Sequence, residues 1–172
     1  MRVRPIVLLA CLAAAPALAA TRVPRYSWGK PGVSFDQYRL DAARCTADGY
    51  FRDISGTVAA KAFVRGSREL DDATQSGFSG DPYDYASQLE RIKMSVQPDR
   101  QMHAIALLQQ KTVDTCLVAH GYRRFHLSEE QRHALGKLAI GSAGRRAYLH
   151  RLASDPAVLV AQAQWYVGAP PR

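Results

Sequence analysis

The stretch that decides the fold, residues 34–45, reads SFDQYRLDAARC, and its counterpart at residues 113–122 reads VDTCLVAHGY. In the first stretch, Ser34 followed by Gln37 is the pattern of a helix N-cap with a capping box. Apolar residues then recur at helical spacing up to Cys45. In the second stretch a helical pattern carries Cys116 and ends at Gly121, which suits the left-handed position after a helix. The sequence therefore predicts two helices that each present a cysteine on an apolar face.

The start of the chain has the pattern of a cleavable signal peptide. A basic segment at residues 1–4 precedes an uncharged apolar run, and Ala17-Leu18-Ala19 supplies the small residues that precede a cleavage site. The run is shorter than the roughly 20 residues needed to span a bilayer. We therefore predict a signal peptide over residues 1–19, cleavage between Ala19 and Ala20, and a periplasmic or envelope-associated protein. An uncleaved N-terminal helix is the alternative.

Residues Leu8-Leu9-Ala10-Cys11 support a second interpretation of the same segment, because they resemble the lipobox of bacterial lipoproteins. The apolar segment ahead of Cys11 has about six residues, whereas the usual minimum is about seven. A lipid-anchored envelope protein, attached through Cys11, is the alternative that this motif keeps open.

The chain is basic, and its positive charge is concentrated toward the end. The formal charge is +8, and loss of a leader that contains Arg2 and Arg4 lowers it to +6. From His120 onward, eight Lys or Arg residues stand against three Asp or Glu residues. Outside the cytoplasm such a surface favours an anionic envelope surface or another envelope protein over nucleic acid. The alternative is that these side chains merely solvate helix faces.

Two cysteines remain once the predicted leader is removed. An even pair in an oxidising compartment predicts a disulfide between Cys45 and Cys116. Cys116 and His120 could face the same way on a helix, but two Cys and one His fall short of a tetrahedral zinc set. A catalytic Cys–His pair would need an orienting third group. We therefore predict no metal site and no cofactor.

The pattern of the rest of the chain predicts an all-α fold. Apolar residues recur at helical spacing, and alternation of period two does not persist in any segment. Helix signals occur near residues 56–72, 81–94, 99–120, 128–140, 142–152 and 155–161. We expect a small disulfide-linked bundle of several short to medium helices. Its divisions are a signal peptide (1–19), an extended leader (20–33), a disulfide-linked helical core (34–122) and basic C-terminal helices packed on that core (123–172).

Three motifs together resemble a class of small exported proteins and lipoproteins of proteobacteria. The motifs are Trp28-x-Lys30-x-Gly32-x-Ser34, Asp41-x3-Cys45 and Cys116-x4-Gly121-Tyr122. They cover about a third of the mature chain, and they are caps, a cysteine pair and a helix end. The resemblance implies the disulfide and the exported location, and it implies no particular chemistry.

The densest mixture of cationic and aromatic residues follows the second cysteine. Tyr122, Arg123, Arg124 and Phe125 lie in succession, and two more arginines, Arg145 and Arg146, lie in the basic tail. We interpret these six residues as a candidate surface for an anionic partner. The alternative is a helix end whose aromatic rings pack inward while the arginines are solvated.

No pattern of catalytic residues stands out along the chain. The five histidines are scattered, and no serine lies in the G-x-S-x-G pattern of a nucleophile elbow. The leading hypothesis is a non-enzymatic envelope protein that binds a partner or an anionic surface. The alternative from another class is a periplasmic hydrolase with a carboxylate-based site that uses residues such as Glu90 or Asp99.

Overall fold

A computed structural model describes residues 23–75 and 82–163, and in these ranges the chain forms seven helices and two short strands. The expected mostly helical domain is confirmed. The predicted signal peptide, Cys11 and residues 164–172 lie outside the described residues. In chain order the elements are β1 (Tyr26–Gly29), α1 (Phe35–Tyr50), α2 (Val58–Gln75), α3 (Pro82–Val96), α4 (Pro98–Ala119), β2 (Arg123–His126), α5 (Glu129–Gly136), α6 (Ala143–Ser154) and α7 (Pro156–Ala161).

Helices α1 and α4 pack against each other in antiparallel directions, and the predicted disulfide joins them. Cys45 and Cys116 are bonded, with their α-carbons 5.4 Å apart. One turn further along α1, a Cβ at Gly49 would lie 2.5 Å from Val113 Cγ2. Gly49 therefore lets the two helix backbones approach closely beside the cystine.

The ends of these helices follow the sequence signals closely. Ser34 Oγ accepts the backbone N–H of Gln37 at 3.2 Å, as predicted. The Gln37 side chain, however, donates to Asp41 Oδ1 at 2.7 Å. At the end of α4, Gly121 has φ +82°, and the N–H of Tyr122 bonds to the carbonyl of Leu117 at 3.0 Å. This is the Schellman geometry that the sequence predicted.

Helices α2 and α3 pack through small residues. The buried positions of α2 are Ala59, Ala62, Gly66 and Ala73. A Cβ at Gly66 would lie 2.3 Å from Val96 Cγ2, so the two helices meet closely there. The pair has no large buried side chain in its described part apart from Val96.

The two strands were not predicted. They pair antiparallel, with Tyr26 opposite His126 and Gly29 opposite Arg123. The expected extended leader therefore contributes one strand of the sheet. Directly after β1, the backbone N–H of Lys30 donates to the carbonyl of Ala153 in α6 at 2.9 Å. Each strand has only four residues, which is too short for alternation to be visible.

The C-terminal helices are capped where the sequence indicated. Ser128 and Gln131 form a reciprocal capping box, Ser142 caps α6, and Asp155 caps α7. These helices and β2 enclose the first buried cluster, which consists of Phe125, Leu127, Leu135, Leu152, Ala153 and Leu159. The second buried cluster lies beside the cystine and consists of Val33, Cys45, Leu117 and Tyr122. Tyr38 packs against both clusters.

Candidate functional site

The structure corrects the aromatic part of the predicted anionic-partner surface. Tyr122 is 3% exposed and Phe125 is 0% exposed, so neither ring can contribute to a surface. The Schellman turn directs Tyr122 inward from the end of α4, and Phe125 lies on the face of β2 that packs on the C-terminal helices. Both rings belong to the core.

Two of the four predicted arginines act on nearby backbone. The Arg145 guanidinium donates to the carbonyls of Leu135 and Leu138 at 2.7 and 3.2 Å, and thus caps the end of α5. The Arg146 guanidinium donates to the carbonyl of Gly141. Local carbonyls thus hold these two side chains at the turn between α5 and α6, where Arg146 remains exposed.

The other two arginines separate because successive residues of a strand point to opposite faces. Arg123 is exposed at the start of β2. The Arg124 guanidinium lies over the ring of Tyr26, with its central carbon 3.9 Å from the ring centroid. Arg124 and His126 share one face of the sheet with Tyr26, so this face combines cationic and aromatic groups.

That face borders an open groove of about 780 Å³. Its lining consists of Val23, Pro24, Arg25, Tyr26, Arg124, His126 and Arg132. Three guanidinium groups and one imidazole therefore meet around the groove, and no carboxylate is among its described lining residues. Such a lining favours an anionic ligand, because guanidinium groups bind carboxylate and phosphate oxygens through paired hydrogen bonds.

Arg132 is the most informative residue of this groove. It is in α5, one residue beyond the Gln131 of the capping box, and its N–H bonds to the carbonyl of Ser128 at 2.9 Å. Its side-chain Nε is buried and has no hydrogen-bond partner among the described residues. Buried donors are nearly always paired, so this unpaired nitrogen is an exception among the described residues.

Sequence reasoning did not find Arg25, His126 and Arg132 as one site. Arg25 comes before the first helix and Arg132 follows the last strand, and only the pairing of β1 with β2 brings them together. One signal was available: Phe125 and Leu127 are apolar two residues apart, as in a short strand.

Neither carboxylate of the alternative hydrolase hypothesis is among the described residues that line the two open cavities of about 590 and 780 Å³. Glu90 is exposed and pairs with Lys93 at 3.3 Å, and Asp99 is exposed in the first turn of α4. An open cavity of about 590 Å³ between α2 and α3 has neither residue among its described lining. The described residues thus provide no support for a site built on Glu90 or Asp99.

A buried polar network lies beside the cystine. Tyr122 donates its hydroxyl to Asp41 Oδ2 at 3.0 Å, and Asp41 is only 3% exposed. Burial, the bond to Asp41 and the charge of that carboxylate raise the pKa of Tyr122 above its usual value. Lys30 Nζ donates to the carbonyl of His120 at 3.1 Å. Residues from all three motifs of the resemblance therefore contact one another here.

Comparison of the chain with protein-family models, with curated proteins and with solved structures gives no match. Among the described residues, no helix combines the length and the apolar character that crossing a bilayer requires.

Proposed function

We propose that this protein is an exported, non-enzymatic protein of the cell envelope that binds an anionic envelope surface through the basic groove. The observation that carries the proposal is the set of Arg25, Arg124, His126 and Arg132 around one open groove whose described lining has no carboxylate. The anionic groups of such a surface are lipid phosphates, which match the guanidinium fork.

The position of Tyr26 supports a surface rather than a small enclosed ligand. Its ring is 37% exposed and is covered on one side by Arg124, so an aromatic body and a cation are presented together at the edge of the groove. Tyrosine suits the interface between an apolar phase and water, because its ring is apolar and its hydroxyl is polar. The groove is also open to solvent rather than enclosed, as contact with an extended surface requires.

The test is co-sedimentation with vesicles, either of a neutral phosphatidylcholine or of the same lipid mixed with phosphatidylglycerol. Wild-type protein should bind the anionic vesicles only, and added salt should weaken binding because it screens charges beyond about 8 Å at physiological ionic strength. The double variant Arg25→Gln/Arg132→Gln removes two cations from the groove. Near an anionic surface each lost cation weakens binding by about 1 kcal/mol, which predicts roughly a 30-fold loss for the pair.

A matched control separates the groove from general charge. Arg44 and Arg68 are exposed on α1 and α2, away from the groove lining. The variant Arg44→Gln/Arg68→Gln has the same net charge as the groove variant. Its fold-loss of affinity for the anionic vesicles should be less than about a fifth of the fold-loss of the groove variant. Equal losses in the two double variants, or equal binding to neutral and anionic vesicles, would contradict a site at the groove.

The proposed export can be tested separately by the mass of the mature N-terminus. Cleavage after Ala19 starts the chain at Ala20, three residues before Val23 of the groove lining. The new α-amino group would add a positive charge close in sequence to the groove. A mature chain that starts at an acylated Cys11 would instead support the lipid-anchored alternative, and a chain that retains Met1 would exclude cleavage.

A further inference from the structure

Three metal-ligating side chains converge where α1 meets the last turn of α4. One ligand atom from each of Cys45, Cys116 and His120 can be chosen so that all lie within 4.8 Å of one another. Cys116 is in the last turn of α4, and His120 is the C-cap residue four positions further on, whose N–H bonds to the carbonyl of Cys116. Cys45 faces them from α1. The sulfurs are bonded in the oxidised protein, so only the reduced protein can offer them as ligands.

We propose that reduction of the cystine converts this cluster into a binding site for a thiophilic divalent ion of the zinc class, held by Cys45, Cys116 and His120. Two thiolates and one imidazole form a three-ligand set, and a zinc ion completes its tetrahedron with water or another oxygen ligand. This inference uses none of the residues that line the basic groove.

The helices hold these side chains in place by contacts other than the cystine. Gly49 packs directly on Val113 on one side, and Tyr122 bonds to Asp41 on the other. The Schellman turn at Gly121 fixes the helix end that carries His120. Opening the S–S bond therefore leaves the two sulfurs on facing helices. Two zinc-bound sulfurs need only about 3.7 Å between them, because each Zn–S bond is about 2.3 Å.

The carboxylates of Asp48 and Asp41 lie next to the cluster in positions that suit a metal site. Asp48 Oδ2 lies 3.6 Å from Cys116 Sγ and can supply an oxygen ligand after a small side-chain rotation. Asp41 Oδ1 lies 3.7 Å from Nδ1 of His120. A carboxylate on one ring nitrogen orients the imidazole and leaves the other nitrogen for the ion, as in many zinc sites.

An ion can reach this site from solvent. The His120 side chain is 34% exposed, and Cys116 is half-buried, while Cys45 is fully buried. The ion would thus enter from the His120 side and meet Cys45 last.

The proposed reaction has two steps, reduction of the cystine and binding of the ion. A dithiol gives two electrons and two protons to the cystine, so the S–S bond breaks, two thiols form, and the dithiol becomes a disulfide. The divalent ion then replaces the two thiol protons, which are released to solvent. Reoxidation by a disulfide reverses the first step and expels the ion.

The experiment titrates Co²⁺ into the full mature protein after reduction by a phosphine, which becomes a phosphine oxide as water supplies its oxygen and the two thiol protons. One equivalent of Co²⁺ should produce a thiolate-to-cobalt charge-transfer band and the intense visible bands of tetrahedral coordination. Zn²⁺ should displace Co²⁺ and raise the melting temperature of the reduced protein. Oxidised protein should show no bands and no zinc-dependent shift in melting temperature.

Two histidine variants determine whether the site is the one proposed. His120→Ala should weaken Co²⁺ binding at least about tenfold and lower the visible intensity. His133→Ala is the matched control, because His133 is exposed on α5, and it should bind Co²⁺ like the wild type. Circular dichroism of the reduced protein reports whether it stays helical. Absence of the charge-transfer band would overturn the proposal, whether or not the reduced chain is folded. Equal Co²⁺ affinity in the two histidine variants would overturn it as well.

Discussion

The two buried clusters of this protein share Tyr38 as a neighbour but differ in chemistry. The first cluster is wholly apolar, and Phe125, Leu127 and Leu135 in it are fully buried. The second cluster has one fully buried side chain, Cys45, and adjoins the buried carboxylate of Asp41. The side chains of the first interact by apolar packing, whereas the second combines packing with a covalent bond and a polar network.

This difference indicates which kind of change each region will tolerate. Loss of a methyl or methylene group from the first cluster leaves a cavity with no other interaction to compensate. In the second cluster, the cost of a change depends on whether it leaves a buried polar group without its partner. Variants that isolate one of these effects at a time can test the comparison.

The largest effect should come from Leu135→Ala in the first cluster. Leu135 is 0% exposed, so truncation leaves a cavity and should lower the free energy of unfolding by about 3 to 5 kcal/mol. Leu40→Ala is the matched control on α1, since Leu40 is 63% exposed and its loss should cost less than about 0.5 kcal/mol. Urea denaturation measures both. Similar values for the two variants would show that the first cluster is not held by packing.

The cystine should have the next largest effect. Cys45 and Cys116 are 71 residues apart, and closing a loop of this length stabilises the fold by up to about 4 kcal/mol in the chain-entropy model. Cys45→Ser should therefore lower the free energy of unfolding by about 2 to 4 kcal/mol under oxidising conditions. Adding Cys116→Ser should cost little more, because the bond is already absent. Additive losses from the two substitutions would contradict a single shared bond.

The second cluster was largely predictable from the sequence because local signals specify it. Ser34, Gly121 and the two cysteines are read from short patterns, and each of these patterns fixes one helix end or one contact. The helix packing at Gly49 follows from no such pattern, because a glycine in a helix has many uses. Its role became clear only when Val113 was placed opposite it.

The basic groove was not predictable for a different physical reason. Arg25 precedes Arg124 by 99 residues and Arg132 by 107 residues. What joins them is a two-stranded sheet whose strands are too short to show alternation. The predicted surface also grouped Arg145 with Arg123 because both are basic and close in sequence. The carbonyls that bind Arg145 arise from the end of α5, whose position depends on tertiary packing.

Tyr122→Phe tests the polar network of the second cluster. Removal of the hydroxyl takes one donor from the buried Asp41, while Gln37 continues to donate, so we expect a loss of about 1 to 3 kcal/mol. The variant should also change the pH dependence. Burial raises the pKa of Tyr122 and of Tyr38 above the usual 10.0. The folded state therefore retains these protons, and its stability is full below pH 10 and falls as the pH rises above it.

The pH arm of this test compares unfolding at about pH 8 and about pH 11, on either side of the ordinary tyrosine pKa. Wild-type protein should lose more stability over this range than Tyr122→Phe, in which only the contribution of Tyr38 remains. An equal slope in both proteins would mean that the Tyr122 hydroxyl titrates with an ordinary pKa despite its bond to Asp41.

The smallest effect distinguishes a structural arginine from a solvated one. Arg145 donates to two carbonyls at and just beyond the end of α5, which borders the first cluster. Arg123, by contrast, is exposed at the start of β2. Arg145→Gln should lower the free energy of unfolding by about 1 kcal/mol, because the carbonyls of Leu135 and Leu138 each lose a charged donor. Arg123→Gln makes the same charge change and should remain within about 0.5 kcal/mol of the wild type. The urea midpoints of the two variants distinguish these roles. A lower midpoint in Arg145→Gln alone would indicate that this side chain caps the end of α5, whereas equal midpoints would indicate that it is a solvated surface residue.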